Sequence, residues 1–122
     1  MKPFIKKFED VGVKDVVEVG GKNASLGEMI KHLAPKGVKL PGGFITTASA
    51  YRDFLKEAKV DGRSLKNFIK DAFDGLDTHN LKDLARRGNL VRKTIKQAKF
   101  PKELNKQIAK AYVEMEREYF SP

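Results

Sequence analysis

A glycine-glycine-lysine triplet stands at the centre of the stretch VEVGGKNASLGEM, residues 17–29. Glycines let the backbone approach an anion closely, because they carry no side chain. A helix that starts just after them adds free backbone N–H groups and the positive end of its dipole. Lys22 contributes a full positive charge at the same point. These features would suit a phosphate-binding turn, in which Lys22 and the backbone of Gly20, Gly21 and Asn23 hold the anion.

The same triplet also fits a plainer interpretation, a tight strand-to-helix connection with an exposed lysine on its outside. A Walker A loop has serine or threonine after its lysine, whereas Asn23 follows Lys22 here. The Gly-x-Gly-x-x-Gly fingerprint of dinucleotide-binding folds is also missing from the sequence. Short motifs of this kind often match by chance, so the triplet in isolation favours the plain connection.

Residues suited to other kinds of chemistry are sparse. The chain contains no cysteine, which removes thiolate catalysis and cysteine-based metal sites. Its two histidines, His32 and His79, lie far apart in the sequence and have no partner at the spacing of metal ligands. We therefore expect no catalytic residue and no metal site in this chain.

The net charge of +9 is compatible with nucleic acid, an anionic membrane or a phosphorylated small molecule as a partner. The segment from Lys82 to Lys99 concentrates this charge, with Asp83 as its one acid. It lacks the aromatic side chains on which single-stranded bases stack. A solvated basic face is the favoured interpretation, and nucleic acid is not expected as a partner.

Length and hydropathy narrow the class of protein. A chain of 122 residues fits one domain or a part of one. No apolar run approaches the roughly 18 residues that would span a bilayer. The start, MKPFIKKFED, lacks the apolar segment of a secretory signal. We expect a cytoplasmic protein without membrane contact.

Hydrophobic periodicity predicts an α+β fold that is mainly helical. Segments at residues 4–8, 16–19 and 44–46 have strand character and predict roughly two or three short strands. Apolar residues at helical spacing predict about five helices after the glycines. Capping residues mark the expected helix starts: Asn23 or Ser25, with Glu28 at capping-box spacing from Ser25, then Thr47 and Ser64, and a turn and cap formed by residues 77–80, which end with Asn80. The side chains expected in the core include Leu65, Phe68, Phe73 and Ile108.

Two longer blocks of sequence carry a family resemblance. VGGKNASLGEMI is followed after a short interval by PGGFITTASAYRDFL. In order and spacing, both resemble the N-terminal part of enzymes of the pyruvate phosphate dikinase and phosphoenolpyruvate synthase family. LARRGNLVRKTI and FPKELNKQIAKAY are similar to helices that follow in that family. The resemblance covers nearly all of the chain. It favours the phosphate-binding interpretation of the glycine triplet much more strongly than the triplet does by itself.

The resemblance implies a part in nucleotide chemistry. The N-terminal domain of the family is an ATP-grasp-like nucleotide-binding domain, and residues 1–122 look like its first subdomain, which is an incomplete part of it. In the family, ATP with magnesium phosphorylates a histidine on a separate domain, and the phosphoryl group then passes to pyruvate. The products are phosphoenolpyruvate, AMP and phosphate. By this resemblance, Lys22 contacts the ATP phosphates.

The chain also departs from the family pattern. An arginine-serine-serine-alanine block, which follows in the family, is absent, and so are the acceptor-histidine domain, the magnesium ligands and the pyruvate domain. We therefore expect a fragment or truncated relative of phosphoenolpyruvate synthase, whose partners are ATP and the remaining domains of a parent enzyme. Alone, it should bind ATP weakly, hold no cofactor tightly and be inactive. The alternative is a stand-alone basic module that binds anions or nucleic acid and has lost the enzyme activity.

Overall fold

A computed structural model of the chain describes residues 3–40 and 42–120. The chain divides into two compact units, residues 1–52 together with 102–122, and residues 53–101. The helices in the described part are α1 Val16–Val19, α2 Gly21–Leu33, α3 Ala48–Glu57, α4 Leu65–Ala72, α5 Leu81–Gln97 and α6 Lys102–Phe120. The strands there are β1 Ile5–Lys7, β2 Phe44–Thr46, β3 Lys59–Val60 and β4 Arg63–Ser64. The mainly helical α+β class is confirmed.

The first unit contains an antiparallel pair formed by β1 and β2, at the positions where the sequence predicts strands. Lys6 lies opposite Ile45, and Ile5 lies opposite Thr46. Thr47 follows β2 and starts α3, because its hydroxyl accepts a hydrogen bond from the Ala50 N–H at 3.2 Å. This cap is the one expected from the sequence.

The core of the first unit gathers small and β-branched side chains around α2. Its buried members are Val11, Val19, Ala24 and Ile45, with the half-buried Phe8 packed against them. Gly27 of α2 lies so close to this segment that a Cβ there would be 2.1 Å from the Val11 carbonyl oxygen. Glycine is therefore required at residue 27 to let α2 approach the preceding chain.

The predicted strand at residues 16–19 is wrong, because this segment forms the short helix α1. The Gly20 N–H donates to the Val16 carbonyl at 2.8 Å, which is a helical hydrogen bond. Val19 is buried in the core, whereas Val17 is 83% exposed. β-branched residues favour strands only where a neighbouring strand and a packed face are available. Here the burial of Val19 at one turn of helix outweighs that preference.

The second unit contains, after the end of α3, a hairpin that the sequence analysis did not predict. Strands β3 and β4 pair in antiparallel fashion through a two-residue turn of Asp61 and Gly62. Both turn residues have positive φ, 50° and 80°, as a type I′ turn requires. An Asp-Gly pair is itself a strong hairpin signal in a sequence. The described chain therefore has four strands rather than two or three.

Helices α4 and α5 of the second unit begin at the capping residues expected from the sequence. The Ser64 hydroxyl accepts from the Asn67 N–H at 3.1 Å, and the Asn80 side chain accepts from the Asp83 N–H at 3.1 Å. Leu65 and Phe68 are buried, as predicted, with 0% and 9% exposure. Phe73 is only half-buried, since α4 ends at Ala72. In the first unit, Ile108 of α6 is also only half-buried.

Within the described residues, no helix combines the length and the apolar character needed to cross a membrane.

Candidate phosphate-binding turn

The chain turns sharply at Gly20, between α1 and α2. Gly20 has φ 84° and ψ 160°, a conformation that residues with a side chain rarely adopt. Its N–H donates to the Val16 carbonyl, and its own carbonyl accepts from the Ala24 N–H at 3.0 Å. Both polar groups of Gly20 are thus used within the fold. Its contribution to a bound ligand would be the shape of the turn, not a donated hydrogen bond.

Asn23 stabilises the same turn through its side chain. Its Nδ2 donates to the Val19 carbonyl at 2.8 Å, so the amide joins the first turn of α2 to the end of α1. Asn23 and Ser25 were the expected capping residues, but α2 already begins at Gly21. That expectation is wrong because Gly20, with its positive φ, starts the helix without any side-chain cap.

The N-terminus of α2 is electrostatically positive, and neither its cap residue nor its first turn supplies a side chain that offsets this charge. The first N–H groups of a helix, here those of Gly21, Lys22 and Asn23, have no acceptor within the helix. The first turn of α2 contains no acidic residue and Gly20 offers no capping side chain. At the starts of α4 and α5, by contrast, Ser64 and Asn80 accept a backbone hydrogen bond. The backbone N–H groups at the start of α2 are therefore available to donate hydrogen bonds to an anion.

Lys22 and the two glycines leave this N-terminus open to solvent. The side chain of Lys22 is exposed, and it forms no ion pair with any residue in the described part of the chain. A Cβ built on Gly20 or on Gly21 would meet no other atom within 4 Å. An anion could therefore reach the backbone here without displacing a side chain. The structure thus places the sequence-predicted residues on one accessible turn.

The structure adds a polar cluster that the sequence analysis missed, on the side of α1 that faces α3. The Glu18 carboxylate accepts from the Ser49 hydroxyl at 2.9 Å and from the Arg52 guanidinium at 3.2 Å. This cluster links α1 to the first turns of α3, and hence the glycine block to the TTASAYR segment. Glu18 lies more than thirty residues from Ser49 and Arg52 in the sequence, so no local spacing signals the cluster.

The two histidines have local partners only. Nε2 of His32 lies 3.2 Å from the Glu28 carboxylate, and Nδ1 of His79 lies 3.3 Å from the Asp77 carboxylate. Both histidines are exposed. Among the described residues, no group of three or more His, Cys, Asp or Glu side chains is arranged to hold a metal ion.

Part of the positive charge of α5 is used inside the second unit. Arg86 and Arg87 both pair with Asp83, at 2.5 Å and 2.9 Å. The guanidinium of Arg87 also donates to the carbonyls of Ala72 and Asp74, at 3.3 Å and 2.5 Å, beside the end of α4. The lysines of α5 are exposed.

The fold defines a mainly helical α+β unit with an uncapped helix start that bears a lysine. Comparison with known proteins gives this chain a family. Residues 16–121 match the family model described as the pyruvate phosphate dikinase AMP/ATP-binding domain. The chain belongs to this family, as the resemblance in its sequence predicted. The matched segment contains the Gly20 turn, the first turn of α2 and the Glu18 cluster.

Several phosphoenolpyruvate synthases are similar to this chain. The enzyme of Pseudomonas aeruginosa is 45% identical over 112 residues, which are 92% of this chain and 14% of the enzyme. The enzyme of Synechocystis is 47% identical over 112 residues, 92% of this chain and 13% of the enzyme. That of Aquifex aeolicus is 42% identical over 118 residues, 97% of this chain and 13% of the enzyme. This chain therefore spans about one seventh of the length of these relatives.

Proposed function

We propose that this chain is the first part of the nucleotide-binding domain of a phosphoenolpyruvate synthase and that it contacts the phosphates of ATP. Lys22 supplies the charge, and the backbone N–H groups of Gly21, Lys22 and Asn23 supply hydrogen bonds. Gly20 supplies the turn that exposes them. The observation that carries the proposal is the start of α2, which is uncapped, free of acidic residues and followed at once by Lys22.

Two comparisons within the molecule support this assignment. Lys66 and Lys82 occupy the same second helical position, in α4 and α5, as Lys22 does in α2. The starts of α4 and α5 are capped by side chains, so their donors are partly used. The start of α2 is thus distinguished by its geometry, and it lies within the segment that matches an AMP/ATP-binding family.

The contribution of the chain to catalysis would be binding and orientation. Phosphoryl transfer depends mostly on holding the phosphates in line and on stabilising the charge on their oxygens. A lysine and a helix N-terminus serve both purposes without taking part in bond making. In the complete enzyme, ATP, with magnesium held elsewhere, would phosphorylate a histidine of another domain, and pyruvate would become phosphoenolpyruvate.

The test is substitution of Lys22 in a complete enzyme. We define the grafted enzyme as the Aquifex aeolicus synthase in which this chain replaces the matching 118 residues. Lys22→Ala should lower phosphoenolpyruvate formation by about 100-fold or more, because it removes a charge that acts on the transferring group. The unfolding temperature should stay unchanged, since Lys22 is exposed.

The matched controls are Lys66→Ala and Lys82→Ala, which remove the same charge from the same helical position at a capped start. Both should leave turnover close to that of the parent grafted enzyme. If Lys22→Ala behaves like these controls, the Gly20 turn is only a connection between two helices.

A basic binding module remains the second candidate function. It is favoured by the net charge of +9 and by the exposed lysines of α5. It is ranked lower because Arg86 and Arg87 are already paired with Asp83.

A further inference from the structure

The outer edge of β1 carries backbone groups that the fold leaves unpaired. The Thr47 N–H donates to the Phe4 carbonyl at 3.0 Å, and the Phe8 N–H donates to the Gly43 carbonyl at 3.3 Å. Hydrogen-bonded residues alternate along an antiparallel strand. The backbone N–H and carbonyl of Lys6 therefore also point towards β2, whereas those of Ile5 and Lys7 point away from it. Within the described chain, no hydrogen-bond partner is found for the N–H groups of Ile5 and Lys7 or for the Ile5 carbonyl.

A groove of about 590 Å³ runs along this edge, with α6 as its opposite wall. Ile5 and Ala111 give it apolar contact surface. The residues that give it charge are Lys6, Lys7, Asp10, Lys110 and Glu114. Lys6 is 4.0 Å from Asp15, whereas Lys7 and Lys110 form no ion pair with the described residues. The groove therefore combines unpaired strand groups, apolar contact surface, and two lysines that form no ion pair although Asp10 and Glu114 also line it.

A sheet of two strands with three residues each is marginal by itself, and an unpaired edge invites a further strand. The relatives are about seven times as long as this chain, so most of such an enzyme lies outside it. We propose that the groove binds an extended, carboxylate-bearing segment from the remainder of a phosphoenolpyruvate synthase, which pairs with β1 as a third strand. This proposal rests on the proposed function, in which the chain is part of that enzyme.

Charge argues against a second copy of the chain as the occupant. Pairing of β1 with β1 of another copy would bring Lys6 and Lys7 of the two copies together, and like charges across a strand pair are destabilising. Each copy also carries a net charge of +9. An acidic side chain opposite Lys7 or Lys110 would instead form an ion pair.

Amide hydrogen exchange tests the pairing directly, with mass spectrometry and electron-transfer fragmentation to resolve single residues. In the isolated chain, the Ile5 and Lys7 amides should exchange fast. In the grafted enzyme without nucleotide, both should be protected by on the order of 100-fold, as strand hydrogen bonds are. The Lys6 amide bonds to β2 in either case and is the internal control for a folded sheet. Equal exchange of Ile5 and Lys7 in the two proteins would overturn the proposal.

A pair of substitutions isolates the backbone donor. Lys7 has φ −87° and ψ 149°, close to values that proline accepts. Lys7→Pro removes the outward N–H, and Lys7→Ala keeps it. Relative to Lys7→Ala, Lys7→Pro should lower the protection of Ile5 in the grafted enzyme by at least about tenfold. Equal protection in both variants would mean that no strand pairs here.

Two further measurements decide the remaining cases. If the grafted enzyme does not fold, overlapping peptides from the Aquifex aeolicus synthase outside its matching residues are titrated against the isolated chain. Binding that Lys7→Pro weakens and Lys7→Ala does not weaken supports the proposal, and the lack of any such peptide overturns it. Protection in the isolated chain that rises with its own concentration would identify a second copy as the occupant and would also overturn it. Because no readout involves ATP, these outcomes are independent of the role of Lys22.

Discussion

Gly20 and Gly21 are neighbours with different roles, and alanine substitutions at the two positions should have different effects. Gly20→Ala places a side chain at φ 84° and should cost about 1–2 kcal/mol of stability. Gly21 starts α2 without a positive φ, so Gly21→Ala should leave stability unchanged or slightly raised. Its methyl group would nevertheless stand where a phosphate must approach, and turnover of the grafted enzyme should fall at least about tenfold.

The measurements are thermal unfolding of the isolated chain and phosphoenolpyruvate formation by the grafted enzyme. Full turnover in a stable Gly21→Ala variant would show that no ligand approaches this backbone.

Gly27 provides a second residue-level prediction, with Gly88 as its control. A Cβ at residue 27 would meet the Val11 carbonyl oxygen, a backbone atom that cannot move aside easily. Gly27→Ala should therefore destabilise the chain by about 1–3 kcal/mol or more. At Gly88 the nearest atom would be on the Arg92 side chain at 3.6 Å. Gly88→Ala should stabilise by about 0.5–1 kcal/mol, as alanine does in a helix interior. Denaturant unfolding measures both, and equal effects would contradict the close packing at Gly27.

The residue scale also shows how far sequence reasoning reached into the candidate site. Lys22 and its glycines were found because charge and backbone freedom are visible in three consecutive letters. The Glu18 cluster was not found, since Ser49 and Arg52 reach Glu18 only through the packing of α1 beside α3. Predicting it requires knowledge of tertiary contacts, which the periodicity of a helix or a strand does not provide.

At the scale of elements, α4 depends on Phe68. This side chain is 9% exposed, and the Arg63 guanidinium lies 5.2 Å from the centre of its ring. Phe68→Ala should cost about 3–5 kcal/mol through lost burial and the resulting cavity. Phe73→Ala, at a half-buried position just after α4, should cost clearly less. Both are measured by denaturant unfolding, and a loss below about 1 kcal/mol for Phe68→Ala would mean that α4 does not pack as described.

The join between α2 and the chain before it should respond to acid. Glu28 of α2 accepts a hydrogen bond from the Val13 N–H at 2.9 Å. That bond, with the hydrogen bond to His32 and the nearby charge of Lys31, holds the pKa of Glu28 below its ordinary value of 4.5. A lowered folded pKa means that the carboxylate stabilises the fold above pH 4.5, and that this contribution is lost as the pH falls through the folded pKa.

Glu28→Gln should therefore be less stable than the parent chain at neutral pH, and the difference should shrink as the solution is acidified below pH 4.5. Unfolding temperatures measured across this range give the result. A gap that stays constant with pH would show that the Glu28 charge has no part in the join. The same residue was expected to form a capping box with Ser25, which fails because α2 begins four residues before Ser25.

Helices were easier to predict than strands, for a physical reason. The apolar stripes of α2 to α6 repeat over several turns, and their caps at Thr47, Ser64 and Asn80 are local. The strands have two or three residues each, too few to show a period. At residues 16–19, the β-branched composition therefore suggested a strand. The structure instead has a helix there, in which Val19 is buried.

At the scale of the whole molecule, the charge of +9 makes a prediction that separates the two candidate functions. Binding of single-stranded DNA should be weak and steeply salt-dependent, with a log–log slope of about −0.7 per phosphate contact. Fluorescence polarisation across a range of salt concentrations measures the slope. Tight binding at physiological salt that is lost when Arg86, Arg92 and Lys93 are neutralised would favour the basic module over the enzyme part.

ATP should bind the isolated chain only weakly. A partly exposed lysine–phosphate contact contributes about 1 kcal/mol, and fixing the ligand costs several times more. We therefore expect a dissociation constant of roughly millimolar or above, measured by calorimetry. Micromolar binding by the isolated chain would show that these residues alone form a complete nucleotide site.

Arg87 has a consequence for anyone who would redesign the surface of this protein. Among the basic residues of α5, the lysines point into solvent and can be exchanged for glutamine or glutamate to alter solubility. Arg87 has the same charge, yet Nη1 of its guanidinium donates to the Ala72 and Asp74 carbonyls beside the end of α4, while its Nε lies 2.9 Å from the Asp83 carboxylate. A lysine there would keep the charge, but its single nitrogen could not serve the carbonyls and Asp83 at once. A charge map would rank these positions alike, whereas a library of variants should tolerate change at the lysines and reject it at Arg87.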